Sequence, residues 1–77
     1  MSGEAGASYC VVLFYSVSGA LMAEKILKKA EVSYKVIPVP RHISSDCGVC
    51  VRILSEDRQR VEELITGSVE YESICPL

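Results

Sequence analysis

The run Gly48-Val49-Cys50-Val51-Arg52-Ile53-Leu54 alternates with a period of two: Val49, Val51 and Ile53 fall on one face, Cys50 and Arg52 on the other. Successive side chains of a strand point to opposite faces, so this pattern is that of a half-buried strand in a sheet covered on one side. Residues 48–54 are expected to be that strand, with its valine face under helices and Cys50 pointing away from them.

Working outward, Ser55-Glu56-Asp57 joins a capping serine to two acidic residues where a helix dipole favours them, and Val61, Leu64 and Ile65 form an apolar stripe before Gly67. A helix over 55–66 follows. Residues 69–75 read as a last strand, with Glu70 and Glu72 on one side, Tyr71 and Ser73 on the other, and Pro76 as the stop. On the N-terminal side, 34–39 is a strand suited to a sheet edge, because Pro38 and Pro40 have no N–H to give to a ladder. Residues 8–16 hold Tyr9, Val11, Val12, Phe14 and Tyr15 without Gly or Pro, and are apolar on both faces as a central strand is. Ser16-Val17-Ser18-Gly19 then supplies an N-cap. Ala20, Ala23, Leu27 and Ala30, widened by Met22 and Ile26, recur at helical spacing and predict a helix over 17–30.

The order βαββαβ predicts an α+β, ferredoxin-like fold: a four-stranded antiparallel sheet in order 4-1-3-2 with both helices on one face. The expected core is Val11, Leu13, Ala20, Ala23, Leu27, Val36, Val49, Val51, Ile53, Val61, Leu64 and Ile65. Residues 8–77 form one domain, and 1–7, with two glycines and no apolar pattern, read as a loose tail. A 77-residue chain buries only about 60–65% of its unfolded surface, so the core is thin.

Composition narrows the function. A net charge of −2 argues against nucleic acid, whose binders show a basic face. Lys25, Lys28 and Lys29 share one side of the first helix, which reads first as a solvated face and second as a docking patch. The longest apolar run, 9–15, is far short of the roughly 18 residues a membrane helix needs. No basic segment precedes it as in a signal peptide, so the expected location is the cytoplasm and the four cysteines are expected to be thiols.

The loop before 48–54 carries the chemistry. Pro40-Arg41-His42-Ile43-Ser44-Ser45-Asp46-Cys47-Gly48 sets Cys47 three residues before Cys50, among a cation, an imidazole and two hydroxyls. Cations, hydroxyls and helix N-termini lower a thiol's pKa, and the thiolate is the nucleophile. Cys47 is the candidate reactive thiol and Cys50 the candidate second thiol. Arg41 is the charge partner for an anion, His42 a loop residue or a base, and Ser44, Ser45 and Gly48 shape the turn or donate to sulfur. The expected topology brings this loop to the sheet edge where the first helix opens, placing Cys47 near Ser16, Val17, Ser18 and Gly19, whose free N–H groups favour an anion. Cys10 and Cys75 are expected at the opposite edge.

The aliphatic-aromatic first strand, the helix opening with Ala20-Leu21-Met22-Ala23-Glu24-Lys25, the strand end Ile37-Pro38-Val39-Pro40-Arg41, and Ile43-Ser44-Ser45-Asp46-Cys47-Gly48 together resemble the selenium/sulfur (Se/S) carrier protein-like family over about Tyr9 to Tyr71. The resemblance implies a carrier that holds sulfur or selenium on Cys47 as a persulfide or selenopersulfide. It would receive the atom from a protein partner of the cysteine desulfurase or selenocysteine lyase type and pass it to an acceptor enzyme. The chain departs from the family at Cys50, where a small apolar residue is more usual, which leaves a dithiol redox protein open.

A lone C-x-x-C is only moderately specific, and here it enters a strand instead of opening a helix after the first strand, unlike thioredoxin-like proteins. Zinc would need two further ligands, and His42 supplies at most one. There is no phosphate loop, Ser/His/Asp set or paired carboxylate arrangement, so neither a self-contained enzyme nor a bound cofactor is expected. The rival to a carrier is a non-catalytic binding or regulatory module whose loop contacts a partner. An accessible, low-pKa Cys47 separates the two.

Overall fold

The computed structural model describes residues 8–43 and 48–77. Among these residues the elements in chain order are β1 (Tyr9–Leu13), α1 (Val17–Lys29), β2 (Tyr34–Pro38), β3 (Val49–Leu54), a 3-10 turn at Ser55–Asp57, α2 (Arg58–Ile65) and β4 (Ser73–Pro76). Every strand pairing is antiparallel, and the sheet runs β2-β3-β1-β4, which counted from the β4 edge is 4-1-3-2.

Cross-strand register sorts the side chains into rows. Tyr34, Ile53, Cys10 and Pro76 form one row, and Val36, Val51, Val12 and Ile74 the next. These rows meet Ala20, Ala23 and Leu27 of α1 and Val61 and Ile65 of α2 in a single core with Phe14, Val32 and Val69. Both helices therefore cover the same face. The alternate rows, Lys35-Arg52-Val11-Cys75 and Ile37-Cys50-Leu13-Ser73, lie on the face without helices. Val11, Leu13 and Cys50 are nonetheless buried there, against Val39, Ile43, Ile37 and Cys75. Burial of a Val or Leu side chain contributes about 1.5–3 kcal/mol, so this second, smaller cluster matters to a domain with a thin core.

The helices begin and end for identifiable reasons. Ser16 has an extended backbone and its hydroxyl accepts the Gly19 N–H at 3.4 Å, satisfying one of the donors a helix start leaves open. At the other end the Val32 N–H reaches the Leu27 carbonyl at 3.0 Å and the Glu31 N–H reaches Lys28 at 3.1 Å. This pair of bonds is the Schellman motif, with Val32 and Leu27 both in the core below it. The motif needs a left-handed residue after the cap, and Glu31 takes it at φ 62°. After α2 the device differs: Thr66 at φ −63°, ψ 127° and Gly67 at φ 87° are the central pair of a type II turn closed by the Ser68 N–H on the Ile65 carbonyl at 3.0 Å.

The structure corrects several sequence expectations. Val11 and Leu13 are core residues of the helix-free face, while Cys10, Val12 and Phe14 point to the helices. The helix expected over 55–66 opens as a 3-10 turn, and Ser55 makes no side-chain cap. Its hydroxyl lies instead 3.5 Å from the Cys10 sulfur. The last strand pairs only over Ser73–Pro76, although Val69 is buried and the Glu72 N–H bonds to the Leu13 carbonyl at 2.6 Å. The tail expected over 1–7 lies outside the described residues.

Candidate functional site

Leu13 of β1 and Ile37 of β2 both stand opposite Cys50 of β3, and Pro38 stands opposite Val49. The end of β1, the end of β2 and the start of β3 thus share one end of the sheet. The chain leaves β1 there and enters α1 through the exposed Ser16. It leaves β2 at the same end through Val39, whose N–H bonds to the Gly48 carbonyl at 3.2 Å and closes the base of the motif loop.

Within the loop, the Ile43 N–H donates to the Pro40 carbonyl at 3.0 Å, a β-turn whose two central residues are Arg41 and His42. Both side chains are exposed. Ile43 and Val39 turn the other way and pack on Val11, Leu13 and Cys50, fastening the loop to the helix-free face. Neither residue had a role in the sequence reading. The available signal was a β-branched side chain on each side of a polar turn.

Ser44, Ser45, Asp46 and Cys47 lie outside the described residues. Gly48, the first described residue after them, is exposed. Cys50 is fully buried under the loop's apolar side chains. Ser16, Ser18 and the half-buried Gly19 form the opening of α1. Gly19 sits at a close approach: a Cβ there would stand 3.3 Å from the Glu70 carbonyl and 3.4 Å from the Phe14 ring, so the Glu70 backbone would have to give by a few tenths of an ångström.

Cys75 is separated from Cys50 by β1 and by two register positions, since Cys75 stands opposite Val11 and Cys50 opposite Leu13. It faces the same side of the sheet, packs on the same cluster, and its sulfur lies 3.6 Å from the Ser73 hydroxyl. Cys10 is on the opposite face, under the helices. Among the described residues no group of three His, Cys, Asp or Glu side chains is placed to hold a metal ion.

The two flanks of α1 differ. On the Gly19 side an open cleft of about 590 Å³ is lined by Tyr15, Thr66, Gly67, Val69, Glu70 and Tyr71. On the other side Glu24 accepts a hydrogen bond from the Tyr34 hydroxyl of β2 at 3.1 Å. Partial burial, with the hydrogen bond to the Glu24 carboxylate and its negative charge, pushes the Tyr34 phenol above its ordinary value. That flank of α1 leans toward the strand that feeds the motif loop.

With this geometry in place, comparison with known proteins identifies the lineage. A family described as "Putative Se/S carrier protein-like" matches residues 9–76. A curated relative, "Uncharacterized protein YtiA" of Escherichia coli (strain K12), is 28% identical over 58 residues, covering 75% of this chain and 68% of the relative. No solved structure matches the chain. The family match takes in all four strands, both helices and the motif loop, and the chain belongs to the Se/S carrier protein-like family.

Proposed function

We propose that the protein carries sulfur or selenium on Cys47 and passes it between enzymes. The observation that carries this reading is the family match across 9–76, which includes the cysteine loop. In the transfer, the Cys47 thiolate attacks the outer sulfur of a donor enzyme's persulfide. The donor's S–S bond breaks, a new S–S bond forms at Cys47, and the donor cysteine leaves as a thiolate. The reverse sequence delivers the atom to an acceptor, and no outside oxidant is needed. A selenopersulfide follows the same path with selenium as the outer atom.

Three features support the reading. The helix-one opening, with Ser16 and Ser18 exposed, lies at the sheet end where the motif loop is anchored, and free N–H groups at a helix start favour a sulfur anion. Arg41 and His42 occupy an exposed turn, where a permanent cation can meet a persulfide or an acidic partner. Cys50 is fully buried in the minor cluster, which fits a carrier that works through the loop thiol. We read the chain order as the ferredoxin-like arrangement, which leaves loop ends free to meet partners.

The test is intact-mass measurement after incubation with a cysteine desulfurase and cysteine, and separately with a selenocysteine lyase and selenocysteine. A gain of one sulfur or one selenium atom, reversed by thiol reductant, lost in Cys47→Ser and retained in Cys50→Ala, is expected. No gain with either donor, or equal gain in Cys47→Ser, would reject the carrier.

A further inference from the structure

The solvent side of α1 has an unusual layout. Val17, Leu21 and Met22 are 52%, 50% and 51% exposed, in a helix whose other face buries Ala20, Ala23 and Leu27. Val17, Leu21 and Lys28 follow one helical stripe, and Met22, Lys25 and Lys29 the next, so each stripe starts apolar and ends basic. At about 1.5 Å rise per residue the two stripes extend about 16 Å from Val17 to Lys28. The apolar end lies at the sheet end from which the motif loop emerges, and the hydrogen bond from Tyr34 to Glu24 places the Val17-Leu21-Lys28 stripe toward that loop's feeding strand. Three of the chain's four lysines stand on this face although the chain's net charge is −2.

We infer that the solvent face of α1 is a docking surface for a partner protein that presents an apolar patch bordered on one side by carboxylates. This rests on the carrier reading for the identity of the partner, the sulfur-donor enzyme. Contiguous exposed apolar residues beside a charged rim are the layout of an interface core and its edge. A second copy of the chain offers no match. Its α2 carries the exposed carboxylates Glu62 and Glu63, but among the described residues the remaining large exposed apolar side chains are Tyr15 and Leu77, neither of them on that helix. An anionic bilayer fits less well, because the lysines lie to one end of the apolar residues and Glu24 interrupts the stripe.

The experiment pairs a binding readout with two ways of loading sulfur. Isotope-labelled protein is titrated with a cysteine desulfurase while amide shifts are followed. Cys47 is then loaded either by that enzyme with cysteine or by inorganic polysulfide, which needs no docking. Leu21→Glu and the triple variant Lys25→Gln/Lys28→Gln/Lys29→Gln change exposed helix positions, and circular dichroism matching the wild type establishes the fold of each before loading is compared. Shifts centred on α1 are expected. Enzyme loading of the variants should slow about tenfold or more, in line with interface anchors and steering charges, while polysulfide loading stays at the wild-type rate. Raising salt should slow enzyme loading of the wild type and have less effect on the triple variant.

Shifts elsewhere, or variants that load from the enzyme at the wild-type rate, overturn the docking surface and leave the carrier standing. Shifts on α1 with no sulfur accepted from either source uphold the surface and overturn the carrier. Shifts on α1 that appear without enzyme as protein concentration rises, or with vesicles of anionic lipid but not with enzyme, assign the face to self-association or to a membrane and overturn the inference.

Discussion

The two faces of the sheet are held in unlike ways. Under the helices, twelve of the described residues, from both helices, both central strands and their connections, are buried in one cluster, so each side chain has many neighbours. On the other face, among the described residues, Val11, Leu13 and Cys50 are buried, with Val39 and Ile43 of the loop, Ile37 of β2 and Cys75 of β4 packed against them. The first arrangement specifies the fold. The second couples the fold to the motif loop, because the side chains that complete the minor cluster are those that fasten Pro40-Arg41-His42-Ile43.

The largest effect expected from this contrast is on the helix side. Phe14→Ala should cost about 3–5 kcal/mol and Leu27→Ala about 2–5 kcal/mol in a urea titration, a large share of the stability of a domain of this size. Leu13→Ala, on the other face, should fall at the lower end, about 2–3 kcal/mol, since a loop can settle into the space more readily than two helices can. A Leu13→Ala cost equal to that of Phe14→Ala would mean the faces are equally rigid.

Ile43→Ala sharpens the comparison. It removes half-buried apolar area and should cost about 1 kcal/mol of stability. It should also speed alkylation of Cys50 roughly fivefold, as local opening becomes cheaper by that amount. Unchanged Cys50 protection in this variant would show that the loop is not what covers it.

Ser16→Ala acts at the end common to both faces. Loss of the cap to Gly19 should lower stability by about 0.5–1 kcal/mol, and Ser16→Gly by only a few tenths, as read from thermal melts.

The smallest effect is alkaline. The Tyr34 phenol is raised in the folded state, so the fold favours its protonated form. Its contribution is fully present below the unfolded value of 10.0 and is lost as pH rises through the higher folded value, where the unfolded chain holds fewer protons than the folded one. In Tyr34→Phe that share of the alkaline loss should disappear from stability measured against pH, and one upward-displaced phenolate transition should disappear from the absorbance titration.

The sheet was legible because β3 alternates: Val49, Val51 and Ile53 could lie on only one face. β1 could be read as central but not oriented, since Cys10, Val11, Val12, Leu13 and Phe14 are all buried and a strand apolar on both sides has no period to read. Boundaries failed where local preference and tertiary contact disagreed. Ser55 has the residue type of a cap, yet its backbone N–H bonds to Ser8 and its hydroxyl sits by Cys10. Of the candidate site, the helix opening at Ser16, Ser18 and Gly19 and the exposed turn at Arg41 and His42 follow from local rules. The roles of Val39 and Ile43 do not, because a single apolar residue in a loop carries no periodicity, and only the folded chain shows what it touches.

Glu31 occupies a backbone conformation that glycine adopts freely and other residues adopt at a cost of about 1–2 kcal/mol. Glu31→Gly should recover part of this, about 0.5–1 kcal/mol after glycine's larger unfolded-state entropy is counted. The residue is exposed and at the far end of α1 from the motif loop, so the gain would come without touching the chemistry. It defines a reinforced parent in which loop and core variants can be compared while still folded, widening the set of sequences that can be assayed for transfer at all.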